Sequence, residues 1–397
     1  MSESKQESPP QPIELHISDI RTFKQCRRKW YFSSLMPDCL GKEPRVPYAP
    51  FFTGRAIHYV LEQMYETNEH PSDIFYGWLE EAIKEMEATA GALWPAEKEK
   101  IEEQVHLIVG MLDHYVVWQE HSKSINDDWN LRWLATELTF DVPIGKSFKR
   151  INEDTGEIDT FHWIDSYFLG RTPTTLAGRF DGVVERISDG TLWLFETKTT
   201  RSVKELVRTL VNDEQAGLYC WAVQEVIGKP IAGVLYNILR KKPPTIPRIL
   251  KDGTISRAMN IDTTLEVYWQ TLKDHYTELM DGMDWSIDEL KDDYREVLEH
   301  LEQKGNTFFL RYEVRKTQTE LRTLVSYLLS TAKEMLGADT VLYPAPGWMN
   351  CNFCHFRAPC LLMNAGGDVD FILDQEYKDR EPYKTKGEEE LDANSTY

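Results

Sequence analysis

Apolar residues recur every three or four positions through the first third of the chain. Ile57, Leu61, Met64 and Tyr65 line one face of a helix expected to start near Phe52 or Thr53. Ile101, Val105, Ile108, Leu112 and Tyr115 form a second stripe, read as core packing, within a charged helical stretch at 72–120. Ahead of both, residues 16–35 predict a helix capped by Ser18 before Ile20 and Phe23, followed by a Pro-rich loop at 37–50. At Leu131 the pattern changes. LRWLATELTFDV is aromatic and β-branched, as a strand requires, and a hydrophilic loop at 145–160 follows. Two further runs, LAGRFDGVVERI (176–187) and TLWLFETKTT (191–200), flank Ser188-Asp189-Gly190, and Asp-Gly between such runs marks a hairpin. A helix from Val203 to about Ile227 and a strand at 231–239 complete the series, while 263–337 reads mostly as helix. Strand, strand, strand, helix, strand is the order of a mixed α/β core with helical additions before and after it.

Composition changes this picture at the ends and in the choice of partner. Residues 1–12 are polar and Pro-rich, and 376–397 are acidic, so both ends are expected to be disordered. Neither a signal peptide nor a membrane span is visible, which points to the cytoplasm. The formal net charge of −20 argues against a nucleic-acid partner, because phosphate contacts need Lys and Arg. The sign is uneven, however. Acids crowd into 79–104, 284–302 and the tail, whereas Arg21, Lys24, Arg27, Arg28 and Lys29 cluster, as do Lys198, Arg201, Lys204 and Arg208, and Arg240, Lys241 and Lys242. A local basic groove on an acidic body is compatible with that distribution.

The hairpin carries the candidate chemistry. Alternate residues of a strand share a face, so Leu192, Leu194, Glu196 and Lys198 project together, with Trp193, Phe195 and Thr197 opposite. On the partner strand Asp181 stands within Gly178-Arg179-Phe180-Asp181-Gly182, where the glycines would let a ligand or a backbone approach. Charges in apolar strands are costly unless something uses them. An Asp and a Glu can hold a hard divalent cation, which acidifies bound water and neutralises charge developing on a phosphate. Lys198 would steady the attacking water or the same charge. The competing reading is a surface hairpin with solvated salt bridges, and spacing alone weighs the two about evenly.

Asp181 followed by Glu196-Thr197-Lys198 resembles the PD-(D/E)XK nuclease superfamily. Gly54-Arg55-Ala56-Ile57-His58 with Leu61-Glu62 resembles the helical histidine motif of its RecB-like branch. Gln215 and Tyr219, four apart on one helix face, resemble that branch's Q-x-x-x-Y motif. The resemblance runs over 54–222 in four ordered motifs. It implies a restriction-endonuclease-like α/β core, with a mixed central sheet flanked by helices. It implies His58, Asp181 and Glu196 as metal ligands, with the Thr197 backbone carbonyl as another. Lys198 would be catalytic, and Gln215 and Tyr219 would contact or orient nucleic acid. Glu137 on the preceding strand is a further candidate acid. Phe180 stands where the family has Pro. Imidazole suits manganese better than magnesium, so activity with manganese is expected to equal or exceed that with magnesium.

Six cysteines remain, and three of them fall in one ten-residue window, which reads as metal binding rather than disulfides. Cys351-x2-Cys354-x5-Cys360 leaves one tetrahedral position open, and Cys26, far upstream, can fill it. Cys26 in CRRKW, taken with that triad, resembles the iron–sulfur nucleases, among them the AddB helicase–nuclease subunit and the CRISPR adaptation nucleases. The resemblance implies a [4Fe–4S] cluster on Cys26, Cys351, Cys354 and Cys360. A structural zinc, with His355 able to substitute as a ligand, and free thiols are the alternatives. Cys39 and Cys220 are expected to be buried and free.

The expectation is one RecB-like nuclease domain over 13–365, closed by the cysteine motif at 351–360. It would carry a helical insertion at about 66–130, a core at about 131–245 and a helical region at about 263–337. Its reaction would be metal-assisted hydrolysis of DNA, exonucleolytic and on single strands or free ends. Recombination, repair or end-processing in a bacterial or phage-infected cell is the expected setting. No P-loop is present, so a helicase or recombination protein would be a separate partner. The rivals are a catalytically inactive DNA-binding scaffold and a zinc-stabilised interaction protein.

Overall fold

The computed structural model describes residues 13–45, 49–90, 94–151, 158–166, 170–279, 287–337 and 340–381. The first twelve residues and 382–397, both expected to be disordered, lie outside them. Strand β1 (Ile13–His16) leads into helices α1 (Ile17–Gln25) and α2 (Arg27–Ser33). The single helix expected here is thus two. Cys26 breaks it with an extended backbone, and Ser18 lies inside the first turn while His16 holds the cap position. Strand β2 (Lys42–Pro44) precedes three long helices, α3 (Ala49–Thr67), α4 (Pro71–Ala90) and α5 (Trp94–Ile125). Their predicted stripes do face one another. Ile57, Leu61, Ile101, Ile108, Leu112 and Tyr115 share one core with Phe75, Phe308 and Phe309.

The strands follow: β3 (Leu131–Thr136), β4 (Thr139–Pro143), β5 (Lys146–Ile151), β6 (Ile158–Ser166), β7 (Gly170–Arg179), β8 (Gly182–Arg186) and β9 (Leu192–Thr200). Helices α6 (Val203–Leu210) and α7 (Glu214–Ile227) then cross to β10 (Gly233–Arg240). Helices α8 (Leu265–Leu279), α9 (Ile287–Asp293) and α10 (Arg295–Lys304) lead to β11 (Phe309–Arg315) and α11 (Gln318–Met335). The chain closes with α12 (Trp348–Asn352), α13 (Arg357–Asn364), α14 (Val369–Glu376) and β12 (Tyr377–Asp379).

The central sheet has the order β11-β10-β9-β8-β3. Only β9 and β10 run parallel within it, and α6 with α7 supplies the crossover that a parallel pair requires. The alternation in β9 splits as expected. Leu194 enters a core shared with Leu218 and Ala222 of α7 and Leu321 of α11, while Trp193 and Phe195 pack on the opposite face with Val184 and Leu235. This is a mixed α/β sheet covered by helices, the architecture expected of a PD-(D/E)XK nuclease. A second sheet joins β1, β7, β6 and β5, with β4 also on β7.

Several further details differ from the expectation. The run 131–142, read as one strand, is β3 and β4 in two different sheets, broken at Glu137-Leu138. The apolar run 176–187 is two strands in two sheets, broken at Phe180-Asp181, because Phe180 stacks on Phe140 of β4 at 4.4 Å and meets Tyr219 of α7 at 5.4 Å. The loop at 145–160 instead carries β5 and the start of β6, whose backbones satisfy each other as an antiparallel pair. The helix 203–227 breaks at Asp213, whose side chain caps α7 by accepting from the Ala216 N–H at 3.3 Å. Within 263–337, β11 adds an edge strand on β10.

The two ends of the chain meet. The Arg28 N–H donates to the Tyr343 carbonyl at 3.3 Å, and Phe32 stacks on Phe356 at 5.4 Å. The tail expected to be disordered from residue 376 begins instead with β12 paired to β2, because Tyr377 is buried against Phe356 at 5.2 Å. Among the described residues no helix is long and apolar enough to cross a membrane.

Candidate active site

Asp181 occupies the seam where β7 of one sheet passes into β8 of the other. Its backbone carbonyl accepts from the Glu137 N–H at 3.1 Å, and the Phe180 N–H donates to Leu138 at 3.1 Å, so the seam is fixed from the β3–β4 turn. The flanking glycines serve aromatic rings rather than a ligand. A Cβ at Gly178 would lie 2.8 Å from the Phe140 ring, and one at Gly182 would lie 2.4 Å from the Trp133 ring. Two groups fix the Asp181 carboxylate. Its Oδ2 accepts from the Thr197 N–H at 2.7 Å, and its Oδ1 lies 3.2 Å from His58 Nδ1. Burial pushes this carboxyl up, but His58, the Thr197 N–H and Lys198 together hold it below the usual range. Burial pushes His58 down, and Asp181 outweighs that and raises it.

Glu196 and Lys198 project together from β9, as the alternation requires. Lys198 Nζ donates to Glu196 Oε1 at 2.6 Å and lies 3.5 Å from Asp213 Oδ2. Burial opposes the charge on Lys198, yet Glu196 and Asp213 hold its pKa above the usual lysine range. Glu196 is 4% exposed, and its carboxyl is pushed up to about 7 by burial, against Lys198 and with Asp181 adding to the rise. Its second oxygen, Oε2, is buried with no hydrogen-bond partner. An orphaned carboxylate oxygen is costly, and a cation is the partner that relieves it.

The donor set His58, Asp181, Glu196 and the Thr197 carbonyl therefore fits a divalent ion. As they stand, no three His, Cys, Asp or Glu side chains among the described residues close on one point. His58 is engaged by Asp181 and Glu196 by Lys198, so an ion would draw the two carboxylates from those partners.

Gln215 and Tyr219 sit where their spacing put them, on the face of α7 toward the site. Gln215 Nε2 donates to the Tyr219 hydroxyl at 3.1 Å, and Arg21 of α1 donates to the Gln215 carbonyl. Tyr219 is raised by burial, and it packs edge-on against Phe140 and Phe180. Two further acids lie at the site, of which Asp213 carried no sequence signal for it. Asp213 fell inside the run read as one continuous helix; in the structure it caps α7 and lies 3.5 Å from Lys198 Nζ. Glu137, a candidate acid expected on a strand, lies instead in the β3–β4 turn; its backbone is left-handed at φ 39°, unusual for a non-glycine, and Arg179 pairs with it at 2.7 Å.

A groove of about 1050 Å³ runs from Lys29 and His355 past Arg55, Tyr59 and Trp78 to His58 and Asp181. A second opening of about 870 Å³ continues past Tyr219 and Asp141, and the two share Arg55, Arg179 and Arg380. Carboxylates line both openings as well, among them Glu43, Glu62, Glu137 and Asp141, so the lining is of mixed sign rather than the basic groove the charge clusters suggested.

Cys26 lies at the α1–α2 break, where its Sγ accepts from the Ala345 N–H at 3.4 Å. Cys351 is on α12 and Cys360 on α13, and the Cys354 N–H between them donates to Cys351 at 3.3 Å. None is in a disulfide and all four are half-buried. Burial raises the Cys354 thiol, and Cys26 and Cys360 lie near enough to add to that rise. The two chain ends thus bring Cys26, Cys354 and Cys360 near one another, but among the described residues no three of the thiols close on one point. Cys220 is buried as expected, but Cys39 is only half-buried.

A family model describing the PD-(D/E)XK nuclease superfamily matches residues 14–361. No curated protein matches the chain.

Proposed function

This chain belongs to the PD-(D/E)XK nuclease superfamily, and we propose that within it the chain is a RecB-like, metal-dependent deoxyribonuclease. We assign it exonucleolytic action on DNA that is single-stranded or has a free end. Recombination, repair or end-processing in a bacterial or phage-infected cytoplasm is the setting, with any helicase a separate partner. The orphaned, buried Glu196 Oε2, on a carboxyl that feels the charge of the fixed Asp181 carboxylate, is the observation that carries the metal-dependent reading.

His58, Asp181, Glu196 and the Thr197 carbonyl would hold the ion. When bound, manganese or magnesium supplies a Lewis acid for the phosphate and an acidified water. Lys198 stays protonated between Glu196 and Asp213 and presents its charge where the attacking oxygen or the phosphoryl oxygens gain negative charge. Gln215 and Tyr219, tied to each other and to Arg21, orient the strand beside it. The imidazole donor favours manganese at least as much as magnesium.

Labelled single- and double-stranded DNA, incubated with manganese or magnesium, tests this. Cleavage by the wild type and its loss in Lys198→Ala support the nuclease. Binding without cleavage would instead favour an inactive scaffold. We assign Cys26, Cys351, Cys354 and Cys360 to a [4Fe–4S] cluster that ties the ends of the chain together. Iron and sulfide in anaerobically purified protein support that assignment, whereas one zinc per chain replaces it with a structural zinc site.

A further inference from the structure

The groove wall on α3 holds an aromatic residue that the hydrolytic reading leaves unused. Arg55, His58, Tyr59 and Glu62 fall at i, i+3, i+4 and i+7 of that helix, and all four line the groove. Tyr59 is 39% exposed, so the core does not need its ring. The ring has a firm backing nonetheless. It lies 6.2 Å from Trp78 of α4 at 32°, and Trp78 packs in turn on Phe52 at 5.2 Å and Phe75 at 6.2 Å, both buried. An aromatic face is thus held open to the groove by a fixed stack, one residue along the helix from His58. Lys29 and Arg55 line the same groove and make no ion pair among the described residues, although Glu62 and Glu137 line it too and lie near the ring. Uncommitted cations beside an open ring are the equipment for an unpaired nucleotide, with the cations on the backbone and the ring on the base.

We propose that Tyr59, backed by Trp78, is a stacking subsite for an unpaired base next to the scissile phosphate. This subsite selects single strands, because bases inside a duplex present no free face. The inference rests on the nuclease reading for its substrate, but its test needs no cleavage.

Anisotropy of labelled oligo(dT), of the same oligomer with abasic sites and of a blunt duplex is measured on the full chain in EDTA. Stacking is worth a few kcal/mol per base, so Tyr59→Ala is expected to bind oligo(dT) roughly 5- to 150-fold more weakly. Tyr59→Phe, which keeps the ring, should bind as the wild type does, and Tyr59→Leu, which keeps only bulk, should not. The abasic oligomer should bind the wild type and Tyr59→Ala equally. Equal wild-type affinity for oligo(dT) and its abasic counterpart overturns the subsite, as does unchanged oligo(dT) affinity in Tyr59→Ala. An absence of any DNA binding overturns it too. Loss of the base preference alone leaves manganese-dependent cleavage, and its dependence on Lys198, as a separate result.

Discussion

Asp213 does two jobs with one carboxylate, and two substitutions separate them. It caps α7, the helix that carries Gln215 and Tyr219, by accepting from the Ala216 N–H. It also lies 3.5 Å from Lys198 Nζ. Asn caps helices about as well as Asp, so Asp213→Asn keeps the first job and removes the charge; Asp213→Ala removes both. At an effective dielectric of about 20, unit charges at this separation attract by about 5 kcal/mol before any desolvation cost. Asp213 retains 17% exposure of its side chain and shares the ammonium with the closer Glu196, so screening and competition reduce the net effect. A loss of about 1–2 kcal/mol is the reasonable remainder. If Lys198 acts in the transition state, that loss appears as a fall of roughly five- to thirtyfold in kcat. The Asn variant should lose no more than that ~1–2 kcal/mol of folding stability, and the Ala variant a further ~1 kcal/mol. Single-turnover cleavage of labelled single-stranded DNA at saturating manganese reads the first quantity, and urea unfolding reads the second. Wild-type turnover in Asp213→Asn would falsify the positioning role and leave Asp213 a helix cap.

Other outcomes follow from the same geometry. The Glu196 carboxyl is raised in the folded protein from 4.5 to about 7, and His58 is also raised. Both therefore contribute stability that is present at low pH and lost as pH rises through their folded values. The metal-free protein should lose stability from pH 5 to 8 at these groups, manganese should restore more of it at pH 8 than at pH 5, and Glu196→Gln should flatten the trend in melting curves. Gly182→Ala forces a methyl group into the Trp133 ring beside Asp181, so a destabilisation of about 1–3 kcal/mol in urea is expected. An unchanged midpoint would show that Trp133 moves aside freely. If the proposed cluster forms on the four thiols, Cys26→Ser should lower solubility and melting temperature together with metal content, because it removes one ligand. Full stability and full activity in that variant would remove the structural role.

What was legible in the sequence is what rests on local spacing. Glu196 and Lys198 share a face because a strand alternates, and Gln215 and Tyr219 share one because a helix repeats. The helical stripes at Ile57 and Ile101 met for the same reason. What could not be read is which sheet a strand joins. The run 176–187 is largely apolar and β-branched and looks continuous, yet it changes sheets at Asp181. The cause is a ring stack of Phe140, Phe180 and Tyr219, assembled from three distant segments. Likewise Asp213 falls inside a run that reads as one helix, and nothing local says that β9 brings Lys198 beside it. The candidate centre lies where these long-range choices converge. Asp181 points at His58 and Thr197 only because its chain leaves one sheet and enters the other at that residue. A continuous strand would return it to simple alternation with Phe180 and Gly182 and take away the turn contacts from Glu137 and Leu138 that fix it. The motif supplies the chemical groups, and the break between sheets supplies their arrangement.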